Sequence, residues 1–151
     1  MNATRTRTSQ WPGEAMSFRI AYSVDRAITA GQFRELLVAS TLGERRPVDE
    51  PERLDAMLKH ATLLVTAWDG DLLVGVSRCL CDFSFSNYCS DLAVRQSHQK
   101  LGIGRELLRL SLEAGGCTLI LLSAPKAVAY YPHIGLTQHP SAWTLDPGGL
   151  R

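Results

Sequence analysis

The chain has 151 residues, 45% of them hydrophobic, and a formal net charge of +1. That length fits one domain with a genuine core, and the near-neutral balance excludes the concentrated basic face of a nucleic-acid binder. No apolar run reaches membrane-spanning length.

Residues 1–15 carry arginines but no apolar stretch of a secretory signal. Residues 1–16 read as a disordered extension and 17–151 as a single domain. Ser17 to Val24 alternates, with Phe18, Ile20 and Tyr22 on one side, and predicts a first strand. Thr29-x-x-Gln32 is a capping box. It opens a helix with Phe33, Leu36, Leu37 and Ser40 on one face. Thr41 to Glu50 is polar, holds Pro47 and reads as a loop. Asp49-x-x-Glu52 caps a second helix, with Pro51 in its first turn and Leu54, Met57, Leu58 and Ala61 facing inward.

Leu63 to Trp68 and Leu72 to Cys81 are strands joined by the hairpin turn Asp69-Gly70. Tyr88 to Val94 is the next strand. On its alternation Asp91 shares a face with Ala93, opposite Leu92 and Val94. A third helix follows, with Ile103, Leu107, Leu110 and Ala114 at helical spacing and Leu108 and Leu112 widening the stripe. Gly115-Gly116 ends it with a left-handed cap. Thr118 to Leu122 is a short apolar strand suited to the middle of a sheet. Ala142 to Leu145 is a last strand that closes the sheet. Cys79, Cys81, Cys89 and Cys117 have neither CxxC nor metal-ligand spacing. Buried thiols in a reducing cytoplasm are the expected state, and no metal site is expected.

The stretch Gln99-Lys100-Leu101-Gly102-Ile103-Gly104 carries the chemistry. It follows an apolar strand end, Leu92-Ala93-Val94, and opens the third helix. The first N–H groups of a helix lack partners and sit in positive potential. Glycine lets an anion approach backbone that a Cβ would shield. The ligand so predicted carries a phosphate or pyrophosphate. A plain strand-to-helix turn also uses glycine for tight packing. The dinucleotide fingerprint does not fit, because Leu107 stands where its third glycine would be. No Gly-Lys-Ser/Thr closes a Walker loop.

The order Gln99-x-x-Gly102-x-Gly104 after a strand resembles the acetyl-CoA loop of the GCN5-related N-acetyltransferases, whose pattern is Gln/Arg-x-x-Gly-x-Gly/Ala after the fourth strand. Ala127-Val128-Ala129-Tyr130-Tyr131-Pro132-His133-Ile134-Gly135-Leu136 resembles that family's late Ala-x-x-Phe-Tyr-x-x-x-Gly-Phe segment. Leu73-Val74-Gly75-Val76 resembles its third strand. The resemblance covers nearly all of residues 17–145. It implies an α/β (α+β mixed) fold, a central sheet of six to seven strands flanked by about four helices. It implies transfer of an acetyl group from acetyl-CoA to a primary amine of a small molecule or protein, by direct attack in a ternary complex. A non-catalytic acetyl-CoA-binding sensor of the same fold is the alternative. Family members are often dimers, so a homodimer is implied, with no nucleic-acid or membrane partner.

By the same resemblance the acetyl-CoA contacts are Leu92, Ala93, Val94, Gln99, Lys100, Leu101, Gly102, Ile103, Gly104 and Arg105. The Val94 N–H would hold the developing oxyanion, and Tyr131 would protonate the departing thiolate. The chain departs from the family at Ala124, where an asparagine often stands, and at Pro132, which removes a backbone donor and bends or stops the short helix. The general base is left open between Asp91, Asp82 and a water chain. His98 is expected beside the CoA phosphates. Arg45 and Arg46 either recognise an acidic acceptor or belong to a solvated loop. Tyr22, Trp68, Phe83 and Phe85 either line an acceptor pocket or pack in the core.

Overall fold

The computed structural model describes residues 4–7 and 18–149. Apart from residues 4–7, the expected extension over 1–16 lies outside the described residues, as does Ser17. The chain falls into two compact units, Met1–Leu121 and Leu122–Arg151, each taken by itself below.

The first unit is a mixed sheet in sequential strand order. Its five main strands are β2 (Phe18–Val24), β3 (Leu63–Asp69), β4 (Leu72–Cys81), β5 (Ser86–Val94) and β6 (Thr118–Leu121). A four-residue strand, β1 (Thr4–Arg7), adds to the β2 edge, where an unstructured extension was expected. The neighbours from β1 to β5 run antiparallel, and β5 and β6 run parallel. Among the described residues of this unit are the helices α1 (Ala30–Ala39), α2 (Pro51–Lys59) and α3 (Ile103–Gly115).

Local chemistry sets several boundaries. Thr29 and Gln32 form a reciprocal capping box, with the Thr29 hydroxyl accepting from Gln32 N–H at 3.1 Å and Gln32 Oε1 accepting from Thr29 N–H at 2.9 Å. The predicted Asp49 cap of α2 does not form. Glu50 is the cap residue, but its carboxylate accepts from Arg53 and caps no backbone N–H, and Asp49 pairs with Arg34 instead. The β3–β4 hairpin closes through a two-residue turn, with Gly70 at φ +59°. Gly116 ends α3 at φ +66°, as the glycine pair predicts.

Two apolar layers sandwich the sheet. On one face Phe33, Leu36 and Leu37 of α1 and Leu54 of α2 pack with Trp68, Leu73, Val76 and Ala93. Each of the Phe, Leu and Val side chains contributes about 1.5–3 kcal/mol by burial. On the other face α3 lies tight against β4. A Cβ on Gly75 would meet Leu107 Cδ1 at 2.9 Å and Ile103 Cγ2 at 3.1 Å. The inward row of α3 is Ile103, Leu107, Leu108, Ser111 and Gly115, whereas the expected Ala114 and Leu112 are exposed. Ser111 can turn inward because its hydroxyl lies 2.8 Å from both Leu107 O and Ser77 Oγ, so no polar atom is stranded.

Two strand expectations fail. Strand β6 is at the sheet edge rather than its middle, with Ile120 half exposed. Residues 142–146 take no regular structure. Pro140 and Pro147 bracket that stretch and remove backbone donors at both ends. The second unit instead holds a 3-10 turn, Pro125–Ala127, and a one-turn helix, α4 (Tyr130–His133).

Candidate functional site

The site begins with an irregularity in β5. Arg78 pairs with Asp91, but the next pair is Cys79 with Cys89, so Ser90 is an extra residue on β5. The bulge moves the strand's side chains to the other face. Before it, Asn87 faces α3 and donates to Ser111 O at 2.9 Å. After it, Ala93 packs with α1, and Asp91 faces the same side. The ladder to β6 ends at Cys89.

Backbone direction follows from the register. Arg95 N–H donates to Val74 O at 2.8 Å. Bonded and non-bonded pairs alternate along an antiparallel ladder. Val94, opposite Gly75, is therefore a non-bonded pair, and its N–H and C=O point away from β4. The Val94 carbonyl accepts from Gln99 Nε2 at 3.1 Å. Leu92 and Val94 are half-buried, and Ala93 is buried in the core.

The loop after Val94 is pinned at several points. Arg95 donates to Leu73 O at 2.8 Å and pairs with Glu35 at 2.6 Å. His98 is buried, with Nε2 3.0 Å from Asp69 Oδ2 and Nδ1 2.7 Å from Ser97 Oγ. It anchors the loop to the β3–β4 turn, not to a phosphate as expected. Lys100 and Gly102 both take positive φ, +62° and +79°. Gly102 is the cap of α3 and offers no side chain to the helix end. The first helical bond is Glu106 N–H to Gly102 O at 3.1 Å. The N–H groups of Ile103, Gly104 and Arg105 precede it, so they have no intrahelical partner. Gly102 is exposed and Gly104 half-buried, while Gln99, Lys100 and Arg105 are exposed. Leu101 is half-buried, and Ile103 sends its side chain into the core against Gly75. The residues present thus fit a bound diphosphate: backbone donors at the positive end of a helix, with cations beside them.

Both candidate bases have other partners. Asp91 is 1% exposed, and one oxygen accepts from Arg46 Nε at 2.5 Å while the other accepts from Arg78 Nε. An acid enclosed by two guanidinium groups cannot reach an amine, so the general-base expectation for Asp91 is overturned. Asp82 caps the β4–β5 turn: Oδ1 accepts from the N–H groups of Ser84, Phe85 and Ser86 at 2.9, 2.7 and 3.0 Å. Those donors, Phe85 first, hold its carboxyl below the usual carboxylate range.

Other candidates sort by burial. Tyr22 and Trp68 are core residues, and Arg26 lies 3.6 Å over the Trp68 ring. Phe83 and Phe85 are exposed on the β4–β5 turn. Arg45 is exposed, and Arg46 is committed to Asp91. All four cysteines are free. Among the described residues no group of three or more His, Cys, Asp or Glu could hold a metal ion, and no helix is long and apolar enough to cross a membrane.

The tyrosine segment belongs to the second unit. Tyr130 and Tyr131 meet edge-on, ring centroids 5.4 Å apart, at the start of α4. Tyr131 O accepts from Ile134 and Leu136 N–H at 3.2 and 3.1 Å, and Gly135 at φ +97° turns the chain out. Pro132 sits inside this single turn and does not break it, because a first-turn residue needs no N–H.

A family model described as an acetyltransferase (GNAT) domain matches residues 59–137, from the end of α2 through the tyrosine segment. The chain belongs to the GNAT acetyltransferase family. It is 30% identical over 125 residues to an uncharacterised ycf52-like N-acetyltransferase of Prochlorococcus marinus. That match spans 78% of this chain and 64% of the relative's length. Among solved structures, a GNAT family acetyltransferase from Streptococcus pneumoniae has a TM-score of 0.65 and 24% identity, over 83% of this chain and 98% of that one. A ribosomal-protein-alanine N-acetyltransferase from Brucella melitensis has a TM-score of 0.62 and 17% identity, over 84% and 98%. At such identities the structures speak for the fold, which the GNAT chain shares.

The reading from sequence missed Arg78, Ser90 and the pins at Arg95 and His98. Arg78 left one signal. A cation inside the apolar run of Leu72–Cys81 calls for a buried partner.

Proposed function

We propose that this GNAT protein is an N-acetyltransferase that moves the acetyl group of acetyl-CoA to a primary amine, by direct attack in a ternary complex. One observation carries the reading. The uncapped start of α3 is joined by a short pinned loop to a bulged strand whose Val94 N–H is turned out of its ladder. The N–H groups of Ile103, Gly104 and Arg105 would hold the diphosphate of CoA, with Lys100 and Arg105 adding charge. Gln99 holds the loop to Val94, which fixes phosphate site and thioester site relative to each other. Val94 N–H would bind the carbonyl oxygen as it gains charge, a donor role worth roughly a hundred- to a thousandfold in rate. Tyr131 would give its phenolic proton to the departing sulfur. With Asp91 and Asp82 both committed elsewhere, the ammonium proton leaves through water.

The test has two steps. Calorimetry should find acetyl-CoA binding, and a panel of primary amines should give release of the CoA thiol with at least one acceptor. Binding without release from any amine would turn the reading to a non-catalytic module, and absence of binding would sink both. In Tyr131→Phe, kcat should fall about a hundredfold with acetyl-CoA affinity within about twofold. Unchanged kcat removes the acid role.

A further inference from the structure

We propose that Asp91 with Arg46 and Arg78 is a positioning clamp. It fixes the Ser90 bulge and so aims the Val94 N–H; the role in catalysis rests on the transferase reading above. Each guanidinium reads two consecutive residues of β5. Arg78 gives Nε to Asp91 and Nη2 to Ser90 Oγ at 3.0 Å. Arg46 gives Nε to Asp91 and Nη2 to Ser90 O at 2.8 Å. Arg forks are planar and rigid, so two of them meeting on one bulge define its backbone as well as its charge. Both arms are tied elsewhere. Arg78 lies opposite Asp91 on β4 and donates to Met57 O at 3.2 Å, and Arg46 donates to Arg45 O at 2.9 Å in the loop between α1 and α2.

Stability alone is a poor account of this cluster. The carboxylate is 0% exposed and the Arg78 side chain 8%, and two guanidinium groups against one carboxylate leave a surplus positive charge. Desolvation of a buried ion pair commonly offsets its Coulomb gain, and an apolar set of equal volume serves as well for stability. What an apolar set cannot do is hold an unpaired backbone carbonyl at a bulge. Ser90 O is outside the β4 register and beyond the end of the β6 ladder, so Arg46 supplies its donor. Val94 follows four residues later, roughly 13 Å along the strand, and Asp91 and Ala93 rest on the α1 side in the face order the bulge sets. A drift of this backbone by about 1 Å would misplace an oxyanion donor, at a cost on the order of a hundredfold.

Arg46 is the member to change, because its side chain is 22% exposed and lies in a loop. In the full chain, Arg46→Ala should lower kcat about tenfold at saturating acetyl-CoA, with acetyl-CoA affinity within about twofold. Amide exchange should quicken about tenfold at Asp91 and Ala93, whose N–H groups face β4, and stay unchanged in β3. Guanidinium ion at low millimolar concentration should restore part of kcat and of the protection. Arg46→Lys keeps the charge without the fork and should behave like Arg46→Ala; it also supplies the readings if Arg46→Ala does not fold. A variant with wild-type kcat and wild-type exchange at Asp91 and Ala93, whatever its melting temperature, overturns the clamp. So does full recovery by lysine. Exchange needs no acceptor, so a wild-type protein that transfers nothing would refute the transferase reading and leave the clamp decided by exchange.

Discussion

Up to Cys89, strand β5 has a neighbour on each side: β4 through Cys79–Cys81 and β6 through Thr118–Leu121. Its side chains Asn87 and Cys89 are buried toward α3. Past Ser90 the same strand keeps β4 but loses β6, turns Asp91 and Ala93 to the opposite layer, and ends in the loop that opens α3. The first half is held by ladder bonds on both sides and by packing. The second keeps only the β4 ladder and adds ionic and side-chain contacts: Arg46 and Arg78 at the bulge, Gln99 on the Val94 carbonyl, and Arg95 on Leu73 O. A strand released on one side has backbone groups to offer a ligand, and it then needs side chains to keep its shape. The two halves should therefore respond differently to mutation.

The largest effect is expected past the bulge. Gly102→Glu would place a side chain on a φ of +79° and a negative charge at the open helix end. Acetyl-CoA affinity should fall at least a hundredfold by calorimetry, with a melting temperature lowered by only a few degrees. Retained affinity would separate the cradle from the cofactor and dissolve the contrast.

Before the bulge the expected loss is in stability. A Cβ on Gly115 would collide with the Asn87 amide nitrogen and sit 3.2 Å from Cys81 Sγ. Asn87 is fully buried, bonds Ser111 O, and already has an Oδ1 with no hydrogen-bond partner. Displacing the amide would strand its donor as well, at about 1–3 kcal/mol, added to about 1–3 kcal/mol of overpacking. The gain of alanine over glycine in a helix is about 1 kcal/mol at most. Gly115→Ala should therefore be net destabilising in denaturant unfolding, with acetyl-CoA affinity within about twofold. A weakened affinity would mean that the two halves are coupled.

How legible these regions were in the sequence follows the same division. Thr29 with Gln32, the Asp69–Leu72 hairpin and the Gly116 cap were readable because each is a bond between near neighbours in the chain. The loop from Gln99 to Gly104 was readable as a strand-to-helix turn for the same reason, and its assignment to acetyl-CoA rests on the family resemblance. The bulge was not readable. Nothing in Cys89-Ser90-Asp91 marks an extra residue, and only the register against Arg78 and Cys79 reveals it. Asp91 looked like a base because its two arginines stand 45 and 13 positions away. Ser111 and Gly115 were passed over for Leu112 and Ala114, since a hydroxyl satisfied by Leu107 O and a glycine under Asn87 carry no apolar signal. Residues 142–145 alternate like a strand, but alternation supplies no partner.

The smallest effect belongs to the turn that feeds the first half. Asp82 takes three backbone N–H bonds and holds the entry to β5, while Phe83 sits at φ +58°. Its folded pKa is depressed, so the charged carboxylate adds stability above the unfolded pKa of about 4, and that contribution is lost as pH falls through the folded value. Asn keeps an acceptor oxygen but not the charge. Wild type should therefore melt slightly above Asp82→Asn near pH 6, and the difference should narrow as pH falls below the ordinary carboxylate range and the carboxylate takes up its proton. Melting curves across that range decide it. A difference that does not change with pH would assign the turn to shape alone, since a neutral amide can satisfy the same N–H groups. Acetyl-CoA affinity should be equal in the two proteins at every pH, because Asp82 shapes the paired half of β5 and the cradle hangs from the other.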